Sequence, residues 1–252
     1  MVEANSAIQI LDLKEQYKQF GPQLEETIIE ILRSGHYILG QYVGKLEKQV
    51  AEFLLQIKAI KLQPNNPFTW ASGWRSPIYC DNRVTLAHPT IRTYIRQQLT
   101  RLIQETFGSV GCIAGVATAG IPQGVLIAQE MGLPFVYVRA KPKEHGMGNL
   151  IEGEIMPGKR VVVIEDLIST GKSSLQAVEA LRQAEFEVAG LAAIFSYGFD
   201  TAAENFKQAN CPFVTLSNYN ALIKYAANNQ YVSESDIDLL KNWRENPAQW
   251  GI

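Results

Sequence analysis

The chain has 252 residues, with 23 lysines and arginines against 25 aspartates and glutamates, a formal net charge of −2. That balance gives no electrostatic case for nucleic acid as a partner, and no apolar run reaches the roughly 18 residues that crossing a membrane as a helix requires. Cys80, Cys112 and Cys211 are odd in number and far apart, which supports neither a disulfide framework nor a zinc knuckle, and the opening MVEANSAIQILDLKEQ lacks a basic-then-apolar leader, so a cytoplasmic protein is expected.

Residues 1–50 read as a helical N-terminal extension. Leu24, Ile28, Ile29, Ile31 and Leu32 form an amphipathic stripe that breaks near Ser34-Gly35, and a second helical stretch runs from about Val43 into Phe53, Leu54 and Leu55. From about residue 58 the chain is punctuated by Pro and Gly, and residues 51–252 read as one further domain. Its predicted strands are Cys112 to Ala117, Phe135 to Val138, Arg160 to Glu165 and Val188 to Phe195. Helical segments run from about His88 to Phe107, Ile121 to Met131 and Ser173 to Glu185. This alternation with short connections predicts an α/β fold with a doubly wound parallel sheet. A last helix is expected from N-cap Ser233, with Asp236 three residues on and Ile237, Leu239, Leu240 and Trp243 as its packing face.

The run Arg160 to Ser174, RVVVIEDLISTGKSS, carries the clearest chemistry. Val161, Val162, Val163 and Ile164 are continuous and β-branched, as in a parallel strand covered on both faces. Glu165 and Asp166 are expected at the strand's end, the edge beyond which ligands bind in open α/β sheets. Ser169, Thr170, Gly171, Lys172 and Ser173 then form a small-residue turn at a helix start, where free N–H groups and a partial positive charge favour a phosphate. Sugar plus phosphate is the implied ligand. The acids precede the loop and the Walker spacing is absent, which excludes a P-loop.

Three further segments gain meaning beside it. Gly115 to Pro122 is a strand-to-helix turn small enough for backbone amides to approach an anion. Arg139, Lys141, Lys143 and His145, among flexible glycines, suit a lid that meets a departing anion and excludes water. Phe68 to Arg83, FTWASGWRSPIYCDNR, reads first as a twisted hairpin packing its aromatics on the sheet. Its arginines and aromatic faces also suit a flat anionic heterocycle.

These motifs, in this order over about residues 51–252, resemble the orotate phosphoribosyltransferases of the type I phosphoribosyltransferase family. The segments FTWASGWRSPIYCDNR, VRAKPKEHGMGN and VVVIEDLISTGKSS carry the resemblance. It implies a small N-terminal hood over the sheet, the substrates orotate and phosphoribosyl pyrophosphate (PRPP), and Mg²⁺ held through PRPP. By it, Glu165 and Asp166 hold the ribose hydroxyls, and Ser169 through Ser173 bind the 5′-phosphate. Arg139, Lys141, Lys143 and His145 meet the phosphates, with Lys143, His145, Arg139 and Asp166 carrying catalysis. Arg75, Arg83 and Ser169 are the candidates for orotate. A homodimer is implied, its lid reaching the neighbouring subunit's site.

The chain departs from the enteric pattern of that family. Ala71 and Ala119 replace lysines, Ala140 follows Arg139 with Lys141 one place later, and Tyr197-Gly198 stands where an arginine would face orotate. Residues 8–53 are similar to the opening of pyridoxal-phosphate-dependent sugar aminotransferases, through DLKEQY and YILG. Nothing downstream supplies that enzyme's catalytic domain. A purine-type phosphoribosyltransferase and a PRPP-sensing regulator remain as alternatives. The 68–83 segment stands against the first, and the absence of a basic patch in residues 1–50 against the second.

Overall fold

A computed structural model describes residues 17–18, 21–23, 25–26, 28–29, 41–70, 72–141 and 150–250. The chain divides into two compact units, Met1–Lys45 and Leu46–Ile252. Of the expected N-terminal stripe, Ile28 and Ile29 are 46% and 44% exposed, while Leu24, Ile31 and Leu32 lie outside the described residues. Most of the 8–53 aminotransferase-like stretch lies outside them as well.

Helix α1 (Gln41–Gln56) buries Val50, Ala51, Leu54 and Leu55, one face of a 3.6-residue repeat. Two small antiparallel ladders follow and, with the 3₁₀ helix after them, make up a small hood segment over residues 60–87. Strand β1 (Ile60–Leu62) pairs with β4 (Ile78–Cys80), and β2 (Phe68–Thr69) pairs with β3 (Arg75–Ser76). A 3₁₀ helix over Asn82–Ala87 leads into α2 (Pro89–Phe107), which has proline at its first turn. The alternating core comes next: β5 (Cys112–Val116), α3 (Gly120–Met131), β6 (Phe135–Val138), β7 (Ile151–Glu152), β8 (Arg160–Ile168), α4 (Lys172–Gln183), β9 (Glu187–Ser196), α5 (Asp200–Gln208), β10 (Phe213–Asn218), α6 (Tyr219–Asn228) and α7 (Glu234–Glu245).

These strands form one sheet in the order β10-β9-β8-β5-β6-β7, parallel except for β7. The expected α/β doubly wound sheet is therefore present, with β10 and β7 added to the four strands read from sequence. Both faces are covered, and the central strand shows how. Val162 and Ile164 point into one apolar cluster with α1, α2, α6 and α7, and Val161 and Val163 into another with α4 and α5. Alternation of side chains along a strand requires this split, and burial on both sides makes each position apolar. At about 1.5–3 kcal/mol for a fully buried aliphatic side chain, these four residues tie both layers to the sheet.

One expected boundary is corrected. Strand β8 runs to Ile168, so Glu165 and Asp166 lie inside the strand as β9 sees it. Pairing to β9 continues through Leu167↔Phe195 and Ile168↔Ser196, whereas pairing to β5 ends at Gly115↔Ile164. The two acids are thus laddered on one side and past the strand edge on the other.

The C-terminal helix closes the unit from the hood side. The Asp236 carboxylate accepts from Ser233 N and Oγ at 3.0 and 2.7 Å, making the expected cap. Leu240 and Trp243 are fully buried, and Trp243 Nε1 donates to the Arg75 carbonyl at 3.2 Å.

Candidate active site

Glu165 is 5% exposed, and its two oxygens are committed to local donors. Oε1 accepts from the Asp166 N–H at 3.0 Å, and Oε2 from Ser174 Oγ at 3.2 Å. Burial, first, and then the adjacent Asp166 charge hold the Glu165 carboxyl well above the usual carboxylate range. Burial also raises Asp166, opposed by the nearby Arg83 guanidinium. Two neighbouring carboxyls of this kind favour hydroxyl donors or a cation in front of them.

The backbone beyond them turns sharply. After Ile168, Ser169 and Thr170 are half-buried and lead to Gly171 at φ 78°, from which α4 departs. A side chain there would meet backbone strain and also the ring of Phe206, whose Cε2 lies 2.6 Å from a built Cβ. Asn205 Nδ2 donates to the Thr170 carbonyl at 3.0 Å, so α5 braces the turn from behind. Lys172 and Ser173 are exposed in the first turn of α4. Their N–H groups belong to the unpaired donors of a helix start, which suits an anion.

The turn before α3 lies beside the same strand. A Cβ on Gly120 would sit 2.3 Å from the Ile164 carbonyl oxygen and 3.4 Å from Glu165 Cα. Only glycine lets the loop from Ala117 to Gly120 approach the two acids this closely. That loop holds a cis peptide between Ala117 and Thr118.

Arg139 directly follows β6, is about one-third exposed, and pairs with Glu152 Oε1 at 3.4 Å. It shares with Ala117 and Ser173 the lining of a cavity of about 310 Å³, so the base of the expected lid and the start of α4 meet there. Lys141 is exposed. Lys143 and His145 lie outside the described residues.

On the hood side, Arg83 forms a two-pronged pair with Asp81, Nε to Oδ1 at 2.6 Å and Nη2 to Oδ2 at 3.0 Å. It remains 59% exposed and is near enough to Asp166 to lower its pKa. Arg75 is exposed, and its backbone carbonyl accepts from Trp243 Nε1. The aromatics around it are packed as the hairpin reading expects: Trp70 lies 5.1 Å from Tyr197 and 5.6 Å from Trp243, and Tyr197 stacks on Phe199 at 5.5 Å.

Two residues in the site were not singled out from sequence. Ser174 is 1% exposed and holds Glu165, and its place right after the turn was the available signal. Asn82 is 1% exposed and donates to the Asp166 carbonyl at 2.7 Å, a contact across 84 residues that no local pattern announces.

Among the described residues, no cluster of three or more His, Cys, Asp or Glu is arranged to hold a metal. A paired carboxylate beside an anion cradle nevertheless fits Mg²⁺, which is commonly bound by one or two carboxylates plus substrate phosphates.

A parallel sheet with two acids ahead of an amide-lined turn is the arrangement of the type I phosphoribosyltransferases, and the family model described as "Phosphoribosyl transferase domain" matches residues 86–229. The orotate phosphoribosyltransferase of Phocaeicola vulgatus is 59% identical over 205 residues, covering 81% of this chain and 97% of that protein. Among solved structures, orotate phosphoribosyltransferase from Aeropyrum pernix is similar with a TM-score of 0.63 and 25% identity, over 73% of this chain and 99% of that one. The Mycobacterium tuberculosis H37Rv orotate phosphoribosyltransferase in complex with PRPP matches with a TM-score of 0.56 and 25% identity, over 70% and 98% of the two chains. The chain belongs to the orotate phosphoribosyltransferase family.

Proposed function

We propose that the chain transfers the ribose 5-phosphate group of PRPP to N1 of orotate, giving orotidine 5′-monophosphate and pyrophosphate in pyrimidine nucleotide synthesis. The observation that carries the reading is the Glu165–Asp166 pair, held past the end of β5 and followed at once by the Gly171 turn. Together they match a ligand with hydroxyls next to a phosphate.

In this reading Glu165 and Asp166 bind and orient the ribose hydroxyls, and the N–H groups from Ser169 to Ser173 hold the 5′-phosphate. The C1′–O bond to pyrophosphate breaks, the C1′–N1 bond forms, and the N1 proton of orotate is lost. Positive charge grows on the ribose as pyrophosphate leaves, so cations that meet the leaving group stabilise the transition state more than the ground state. Arg139, Lys141, Lys143 and His145 take that role, and removal of one such donor typically costs on the order of 10²–10³ in rate. Mg²⁺ bound to PRPP, beside Glu165 and Asp166, would supply neutralisation of the leaving group's charge. Arg83 and Arg75, with Ser169, are the residues proposed to meet orotate. Arg83 is the better supported, because it lies within electrostatic reach of Asp166.

The working unit in this proposal is a cytoplasmic homodimer whose lid acts on the neighbouring subunit. Residues 1–50 are an appendage without aminotransferase activity. The test is a base panel in which orotate, hypoxanthine, xanthine and adenine are each supplied with PRPP and Mg²⁺, and pyrophosphate release is followed. Release with orotate alone is expected. Release with a purine and not with orotate would overturn the base assignment, and unchanged turnover in both Lys143→Ala and His145→Ala would overturn the lid roles.

A further inference from the structure

Asp166 has an unusual backbone for a residue inside a sheet. Its N–H goes to the Glu165 carboxylate at 3.0 Å and its C=O to the Asn82 amide at 2.7 Å, so side chains satisfy both groups in place of a strand. The register explains why. In a parallel ladder one residue's N–H and C=O face the same neighbouring strand, and β5, which would be that neighbour, has its last pair with β8 at Gly115↔Ile164. A buried carbonyl left without a donor is costly. Asn82 provides the donor that β5 no longer can.

The Asn82 side chain is itself fixed. It is 1% exposed, its Oδ1 accepts from Cys80 Sγ at 3.4 Å, and its backbone carbonyl accepts from Thr85 Oγ1 at 2.6 Å. Asp81, one residue before, donates its N–H to the Ala59 carbonyl at 2.8 Å and caps the 3₁₀ helix that Asn82 begins. The amide is therefore a rigid strut from the hood to the strand that carries both acids.

We infer that Asn82 is a positioning residue for PRPP: through its hydrogen bond to the Asp166 carbonyl it sets the main chain that presents Asp166 to the ribose. It touches the carboxylate's own backbone and not the substrate. The inference rests on the proposed PRPP site, and its test separates the two. PRPP with Mg²⁺ is titrated calorimetrically into the full-length protein, its Asn82→Ala and Asn82→Asp variants, and a Thr85→Val control. The control removes the hood-internal bond to Asn82 and keeps the strut.

Asn82→Ala is expected to raise the PRPP Kd about tenfold, as for loss of one hydrogen bond to a buried group. Asn82→Asp keeps the shape, removes the donor and adds a charge, so the rise should be larger. Thr85→Val should lower the melting temperature and leave the PRPP Kd unchanged. In steady state, the KM for PRPP should rise in Asn82→Ala while the KM for orotate stays as in the wild type. Wild-type PRPP affinity in either Asn82 variant would overturn the inference, as would equal weakening in Thr85→Val, which would make the effect one of hood stability. Failure of the wild-type protein to bind PRPP would overturn the site reading and the inference with it.

Discussion

Gly120 lies so close to Ile164 that a single added carbon would sit 2.3 Å from the Ile164 carbonyl oxygen. The neighbour is backbone in the central strand and has no freedom to yield. This contact sets how near the loop before α3 comes to Glu165, and so, in the proposed function, how the two turns share PRPP. Gly120→Ala is expected to destabilise the protein by about 1–3 kcal/mol, as overpacking does. It should also weaken PRPP binding. Urea denaturation and PRPP titration of the variant check both, and wild-type values in both would contradict the placement.

The turn proposed to hold the 5′-phosphate offers a second test. Gly171→Ala meets a left-handed backbone, costing about 1–2 kcal/mol, and also the Phe206 ring 2.6 Å away. Shortening the ring by Phe206→Leu in the same chain relieves the second cost and not the first. The double variant should therefore bind PRPP better than Gly171→Ala alone, though below the wild type. If the double variant is weaker than Gly171→Ala by the full cost of Phe206→Leu measured alone, Phe206 does not press on this turn.

Glu165 gives a pH signature. Its folded-state pKa is raised above the unfolded value by burial and by Asp166, so the stability it contributes is present below that unfolded value and lost as pH rises through the folded one. Glu165→Gln stays neutral and loses nothing in that window. Without ligands, the variant's stability relative to the wild type should improve as pH is raised from about 4.5 towards neutrality. Urea midpoints across that range read the difference, and parallel curves would contradict it. The same variant should lose PRPP affinity, because an amide cannot ionise when PRPP and Mg²⁺ arrive, as the carboxyl can.

Arg83 is gripped by Asp81 yet mostly exposed, so the pair itself contributes little to stability, on the order of 0–1 kcal/mol. Its importance is expected in binding. Arg83→Ala should leave the melting temperature nearly unchanged and raise the KM for orotate, while Asp81→Asn frees the guanidinium and leaves Arg83 able to act. An unchanged orotate KM in Arg83→Ala would direct attention to Arg75.

The strand Arg160 to Glu165 was readable because burial on both faces demands an unbroken β-branched run, and Val161 to Ile164 is such a run. Its extension over Asp166, Leu167 and Ile168 was not readable. It depends on β9 continuing beside them through Phe195 and Ser196, a pairing their own residue types do not announce. Strand β10, FVTLSN, escaped for a related reason: it sits at the sheet edge, where Phe213, Val214 and Thr215 are only half-buried and the pattern is mixed. The acids and the turn were legible because their chemistry is local. Asn82 was not, since its partner is 84 residues away and its role exists only once β5 has ended.

Orotate absorbance, followed on mixing the full-length protein with orotate, PRPP and Mg²⁺ and then with each of these omitted in turn, tests the central claim most directly. The account predicts loss of the orotate signal only when PRPP and Mg²⁺ are both present, with orotidine 5′-monophosphate and pyrophosphate formed in equal amounts. A folded protein that binds PRPP and leaves orotate unchanged would contradict it.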